Sequence, residues 1–395
     1  MILLGDWAPG QKHGELDLGQ VVILANLEGP VLPSNHTFLP RPKAGPSLFS
    51  TNLPTTAQSM VWTLANNHIM DYGTPGLETT LATLHSQGCQ AAGAGQDVTL
   101  ARRPAIVSDS GVRVGVISCC EAQFGTASSR QVGVAEFGPW VYHAIEQLKS
   151  KVDAIIVSVH AAVENSPWPS PRLQALYRSW IQAGAAIVHG HHAHIPQGIE
   201  EYRGGLIAYG LGNLLVPPDI WRNVPNALWS LGIKVTLGSK PIEWHAFTLE
   251  IREDIDGKIY VEESLPHEKT KHEGYIELCN RPLRDLVLLE GLWQEASLHA
   301  YFHHHAACLG LADGLNNLGT KRYLGWFARN TLANVARMFG IQTRGLSKRN
   351  YLLWYNLFAC KSHRDSLRTA LGLLSGEIKD LRTDETRHLV SEMMA

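Results

Sequence analysis

The segment Ala185-Ala186-Ile187-Val188-His189-Gly190-His191-His192-Ala193-His194 decides how this chain folds. A short apolar run of strand type ends at a glycine, and His191, His192 and His194 follow at once. Protonated, such neighbours repel one another; neutral, they seek a common cation. The same arrangement recurs upstream. Asp6 follows Ile2-Leu3-Leu4-Gly5, Glu28 follows the run from Val21 to Leu27, and Asn67 and His68 follow the run from Met60 to Asn66. His160 closes Ala154-Ile155-Ile156-Val157-Ser158-Val159. In an open α/β sheet, groups just past the carboxyl ends of strands converge on one crevice. Asp6, Glu28, Asn67, His160, His191, His192 and His194 would form there an O/N ligand set suited to two divalent metal ions. Mn, Fe and Zn all suit such a mixed set, and the residues do not choose among them.

Working outward, residues 1 to about 265 alternate short β-rich runs with amphipathic or turn-rich stretches. Strands are expected at 1–5, 20–27, 60–65, 104–109, 112–119, 153–160, 185–190 and 205–210. Helices are expected at 74–88, 139–151 and 171–184, the last opening on Ser170-Pro171, a hydroxyl cap with proline at the first helical position. Residues 230–263 look antiparallel, with Asp256-Gly257 as the hairpin turn. Composition shifts after Pro266 to long helical periodicities: Leu283–Phe302, Lys321–Phe339, Lys348–Leu374 and Glu377–Met394. The expectation is an α/β domain over 1–265 and an α-helical domain over 266–395.

The chain is 395 residues long, with 34 basic against 36 acidic side chains. That balance creates no global field for a polyanion and speaks against a nucleic-acid partner. Six cysteines without a C-x-x-C pair suit a reducing compartment. No window approaches the ~18 uninterrupted apolar residues of a membrane helix, and Met1 leads straight into a strand-like run. A cytoplasmic location is the expectation.

Read in order, the motifs resemble the capsule-synthesis CapA family, also called the poly-γ-glutamate biosynthesis proteins, within the calcineurin-like metallophosphoesterase superfamily. The matching text is Gly5-Asp6, Asn26-Leu27-Glu28, Ala65-Asn66-Asn67-His68 with Asp71 and Gly73, and His160 with Glu164. It continues through Pro169-Ser170-Pro171, Gly190-His191-His192-Ala193-His194 with Gln197 and Glu200, and Tyr209-Gly210-Leu211-Gly212-Asn213. The resemblance implies a metallophosphoesterase-like four-layer sandwich, two β-sheets flanked by helices, with a helical C-terminal domain. It also implies a dinuclear metal-dependent hydrolase tied to capsule, poly-γ-glutamate or other polymer biosynthesis, acting on an anionic polymer or phosphoester. Asp6 resembles the first-strand ligand, Glu28 the residue bridging both metals, and Asn67 a ligand. His68 resembles the group beside the leaving atom. His160 and two of His191, His192 and His194 complete the set.

Three features depart from the pattern. His160-Ala161-Ala162 stands where the family has His-Trp-Gly, the superfamily's Asp-x-His start is absent, and the membrane anchor of many relatives has no counterpart. Two other classes of function remain open: a non-catalytic subunit that binds polymer in the same pocket, and a phosphodiesterase or nuclease.

Asp71 has two readings, as acceptor from the second ring N–H of His68 or as a helix N-cap. The triplet His303-His304-His305 reads as surface, because consecutive helical side chains diverge. Trp168 reads as core or as a pocket wall. Between 321 and 371, ten basic residues stand against Asp365, interleaved with aromatics. That segment suits peripheral contact with an anionic membrane or an acidic polymer, or else a solvated basic face over inward-packed aromatics.

Overall fold

The computed structural model describes residues 1–12, 14–15, 21–43, 45–54, 59–238, 241–309 and 348–394. The expected helix at 321–339 and most of the basic 321–371 segment lie outside them.

The apolar runs form two sheets. In the first, Ile2–Trp7 lies parallel to Ile23–Leu27, which lies parallel to Met60–Thr63. On its other side Ile2–Trp7 meets Trp229–Thr236 antiparallel and Asn213–Leu215 parallel. In the second sheet, Ala154–His160 lies parallel to both Val112–Cys120 and Ile187–His191. The sheets have nine and six strands, and a two-stranded pair stands apart from them.

Alternation along each strand sets the layers. Leu3, Leu24 and Val61 of the first sheet share one core with Val116, Ile156 and Ile187 of the second. Leu4, Ile23 and Trp62 face the other way, onto Leu77 and Leu84 of the helix Gly73–Ser86. Ile117, Val157 and Val188 face out from the second sheet onto Ile145 of the helix Trp140–Leu148 and Tyr177 of the helix Pro171–Ala183. The result is helix, sheet, sheet, helix: the four layers expected. Strands buried on both faces explain why their sequences read as continuous apolar runs. The local signals hold as well. Ser170 caps its helix by accepting from the Leu173 amide, and Gly184 ends it with φ 118°. The antiparallel strands Glu243–Glu253 and Ile259–Glu263 join through the expected turn.

The regular elements among the described residues beyond Ser264 are all helical. Pro266–Asn280 begins where composition shifts, and Leu286–Ala300, Lys348–Ala359, Lys361–Leu374 and Asp384–Met393 follow. The single periodic run expected over 348–374 is therefore two helices broken at Cys360, and the last helix starts seven residues later than Glu377. Trp168 is core: it is 2% exposed and packs against Cys279, Leu289, Leu292 and Met393 of the helical segment. Among the described residues no helix is long and apolar enough to cross a membrane.

One contact in this region predicts a pH dependence. His272 stacks on Trp229, ring centroids 3.9 Å apart. Burial holds its pKa down to about 4, against the pull of Glu268. An unfolded histidine titrates at about 6.5, so between those values the unfolded chain binds the extra proton. The contribution of His272 to stability should therefore fall as pH drops from about 6.5 to about 4. Thermal unfolding of His272→Gln across that window should show a shallower acid loss than the parent chain. An identical slope would exclude this group as a contributor.

Candidate metal centre

The register of the parallel strands does the assembling. Asp6 lies opposite Asn26 in one sheet, and His160 opposite His191 in the other. Glu28 comes one residue past its strand end, and Asn67 and His68 in the turns after Met60–Thr63. Gly5 permits the closest approach: a Cβ there would lie 1.9 Å from the Gly212 carbonyl oxygen. Only glycine lets the backbone before Asn213 come this near to Asp6.

All seven expected ligands are buried and converge on one site. Asp6 Oδ1 accepts from Asn26 Nδ2 at 2.9 Å and lies 2.8 Å from His191 Nδ1. The Glu28 oxygens lie 3.5 Å from His160 Nε2 and 3.6 Å from His194 Nδ1. Asn67 Oδ1 accepts from His160 Nε2 at 2.9 Å. Among the described residues four groups have their ligand atoms within 4.8 Å of one another: Asp6–Glu28–His194, Glu28–His160–His192, Glu164–His192–His194 and Glu121–His192–Cys360; the first two make the clusters built on the expected ligands. Glu28 belongs to both. His191 joins neither: it braces Asp6 on one side and faces His189 at 3.4 Å on the other.

Glu28 is completely buried, and neither of its oxygens has a hydrogen-bond partner. Burial, then the neighbouring Asp6 and Glu164, push its carboxyl well above the usual range. Burial alone would raise Asp6 too, but His191 and His194 beside it hold it below the ordinary value. Burial and the surrounding imidazoles push His160 far down and His192 to about 3. The buried His192 Nδ1, without a partner, beside an unpaired buried carboxyl makes a donor set suited to a cation. The residues fit the divalent ions implied by the sequence. Backbone strain adds to this: His192 and His194 adopt φ of 88° and 60°, a region rare for residues with side chains.

His68 stands apart from both clusters. Its Nδ1 is 2.7 Å from Asp71 Oδ2, whose other oxygen accepts from Lys43 Nζ at 2.8 Å. Asp71 also accepts from the Leu48 amide, while the helix at Gly73 has Tyr72 as its N-cap, without a side-chain cap bond. Of the two readings of Asp71, the structure shows the contact to His68. With the proton on Nδ1, the His68 Nε2 is left as the ring's remaining nitrogen. Burial and Lys43 lower the His68 pKa, against the pull of Asp71.

Several residues at the site carried no sequence signal. Lys43 comes from a Pro-rich loop without periodicity. Glu121 and Gln123 follow the strand Val112–Cys120; Gln123 Nε2 lies 3.0 Å from His192 Nε2 and donates to Glu121 Oε1 at 3.2 Å. Asn213 Oδ1, at 3.1 Å from His194 Nδ1, faces the centre as well.

A cleft of about 520 Å³ opens over Asn67, His68 and His192. Its far side carries His303, His304 and His305. The surface reading of the triplet holds for His303 and His304, which are exposed and line the cleft, and is corrected for His305, which is 2% exposed. The reason is local. Tyr301–His305 is a π-helical turn, so its side chains do not follow the spacing of a regular helix.

Comparison with known proteins fits this geometry. The family model for the bacterial capsule synthesis protein PGA_cap matches residues 18–217, more than half of the chain. This chain belongs to the PGA_cap family. The match includes Glu28, Asn67, His160 and the histidines at 191–194. The capsule biosynthesis protein CapA of Bacillus anthracis is 31% identical over 175 residues, covering 42% of this chain and 43% of CapA. A Mycobacterium tuberculosis protein named "Probable polyglutamine synthesis accessory protein" is 33% identical over 210 residues, covering 49% and 55%. The PGA_cap chain thus spans about half the length of the curated relatives it matches. Among solved structures, the 5'-nucleotidase of Candida albicans aligns at 14% identity over 47% of this chain and 36% of its own, with a TM-score of 0.31. That overlap is too slight to support any conclusion about function.

Proposed function

We propose that this PGA_cap protein is a dinuclear metal-dependent hydrolase acting on an anionic polymer, as part of the synthesis or trimming of a capsule-type polymer such as poly-γ-glutamate. The observation that carries the reading is Glu28, a buried carboxyl without partners shared by two clusters of ligand atoms. Asp6, Glu28 and His194 would hold one ion, and Glu28, His160 and His192 the other, with Asn67 beside the second. Ions of this kind polarise the scissile group and bring the pKa of a bound water toward neutrality.

The chain's own residues supply the rest. His68, whose Nδ1–H is held by Asp71, faces the cleft with Nε2; its doubly protonated form would give the Nε2 proton to the leaving group and return to the neutral ring. Lys43 fixes Asp71 and donates to the Asn67 carbonyl at 3.3 Å, which holds the Asn67–His68 turn in place. Asn26 and His191 hold the Asp6 carboxylate in its orientation. Protein reconstituted with Mn²⁺ should cleave a γ-linked glutamate oligomer or a generic phosphodiester, and the metal-free protein should cleave neither. A metal-loaded protein inert toward both would point to the polymer-binding subunit instead.

A further inference from the structure

His192 belongs to three of the four groups of converging ligand atoms, and one of these reaches past the family match to Cys360. We infer that Glu121, His192 and Cys360 form a separate, thiolate-containing site for Zn²⁺, which fastens the C-terminal helical segment to the strand ends of the metal centre. The site stands on its own ligands and does not need the centre's two ions in place.

The three ligands come from three distant parts of the chain. Glu121 is the first residue past the strand Val112–Cys120, and His192 the first past Ile187–His191. Both strands lie parallel to Ala154–His160, one on each side, so their carboxyl ends share an edge. Cys360 is the single residue between the helices Lys348–Ala359 and Lys361–Leu374. Glu121, His192 and Cys360 are 0%, 1% and 1% exposed, and one ligand atom of each lies within 4.8 Å of the others. The nitrogen of His192 nearest to Glu121 is Nε2, 3.9 Å from Oε1. Nδ1 is buried and without a partner, so engagement of Nε2 does not use up the ring. Gln123 stands beside them, its Nε2 3.0 Å from His192 Nε2 and 3.2 Å from Glu121 Oε1. The two ends of a side-chain amide have nearly the same shape, so a half-turn brings its oxygen to that place as a fourth ligand.

The donor set selects the ion. Thiolate, imidazole and carboxylate closed off from solvent match Zn²⁺, whose bonds to sulfur, nitrogen and oxygen run to about 2.3, 2.0 and 2.1 Å. Mn²⁺ prefers oxygen ligands, so protein reloaded with Mn²⁺ alone carries its ions at the dinuclear centre and none here. In the metal-free chain burial keeps the Cys360 thiol protonated, and Zn²⁺ sends that proton to solvent as the thiolate forms. Glu121 divides its labour: Oε2 accepts the Ser362 amide at 2.7 Å, which leaves Oε1 for the ion. Elsewhere along this seam Arg172 pairs with Asp365 and Lys361 with Glu136, but these pairs are partly exposed. Exposed ion pairs contribute little, so a buried ion at the helix break is the stronger fastening.

The test uses the full chain, stripped with a chelator and titrated with Co²⁺, which occupies zinc sites and reports a thiolate ligand by a sulfur-to-cobalt charge-transfer absorption. The parent should develop that absorption, and added Zn²⁺ should abolish it. Cys360→Ser, which still offers a small capping side chain at the helix start, should lack it while its remaining cysteines stay in place. Glu121→Gln keeps the shape and an acceptor for Ser362 but not the charge. It should raise the Co²⁺ concentration at half-intensity by at least the roughly tenfold that losing a ligand's own partner costs. Co²⁺ taken up by the parent without the absorption overturns the inference and leaves the dinuclear reading standing. An absorption that survives in Cys360→Ser, or that forms equally well in Glu121→Gln, also overturns it. A parent that shows the absorption with a single Co²⁺ per chain supports the inference and counts against the dinuclear centre.

Discussion

Glu28→Gln should fold like the parent chain and hold almost no metal, where the parent should hold about two ions per chain. In the metal-free protein the Glu28 carboxyl is pushed far toward its neutral form, so a neutral amide of the same shape costs the fold little. The variant cannot supply the anionic oxygens that both ligand clusters share. Added Mn²⁺ should raise the parent's melting temperature, since a ligand that binds the native state stabilises it, and should leave the variant's unchanged. Equal metal content in the two proteins would remove Glu28 from the centre.

His68→Ala should do the opposite. It belongs to neither ligand cluster, and Asp71 and Lys43 hold it from behind. Metal content should therefore stay at the parent level while turnover of the γ-glutamate oligomer or phosphodiester falls about 10²–10⁴-fold, the usual weight of a positioned proton donor. Asp71→Asn should lose part of the same factor, because the amide no longer fixes the imidazole tautomer. Loss of metal in His68→Ala with full retention in Glu28→Gln would reverse the two assignments.

How much of this was legible in the sequence follows from how each residue reaches the site. Asp6, Glu28, Asn67, His160 and the 191–194 histidines each leave a parallel strand at its carboxyl end. Strand pattern alone therefore places them together, and a one-residue slip in either sheet would scatter them. Lys43, Glu121 and Gln123 reach the same space from irregular loops, where no period marks a direction. The burial of His305 is not legible because nothing in Tyr301-Phe302-His303-His304-His305 announces a π turn. The break at Cys360 is hidden for a related reason. Helical periodicity runs on through 348–374, but Glu121, more than two hundred residues away, takes up the Ser362 amide at the new helix start.

The most direct test of the central claim is anomalous X-ray diffraction at the metal absorption edge from crystals of the full chain grown with Mn²⁺. The account predicts two peaks about 3.5–4 Å apart on either side of the Glu28 carboxylate, one beside Asp6 and His194 and the other beside His160 and His192. An absence of peaks there, or a single peak held by other residues with Glu28 still unpaired, would contradict it.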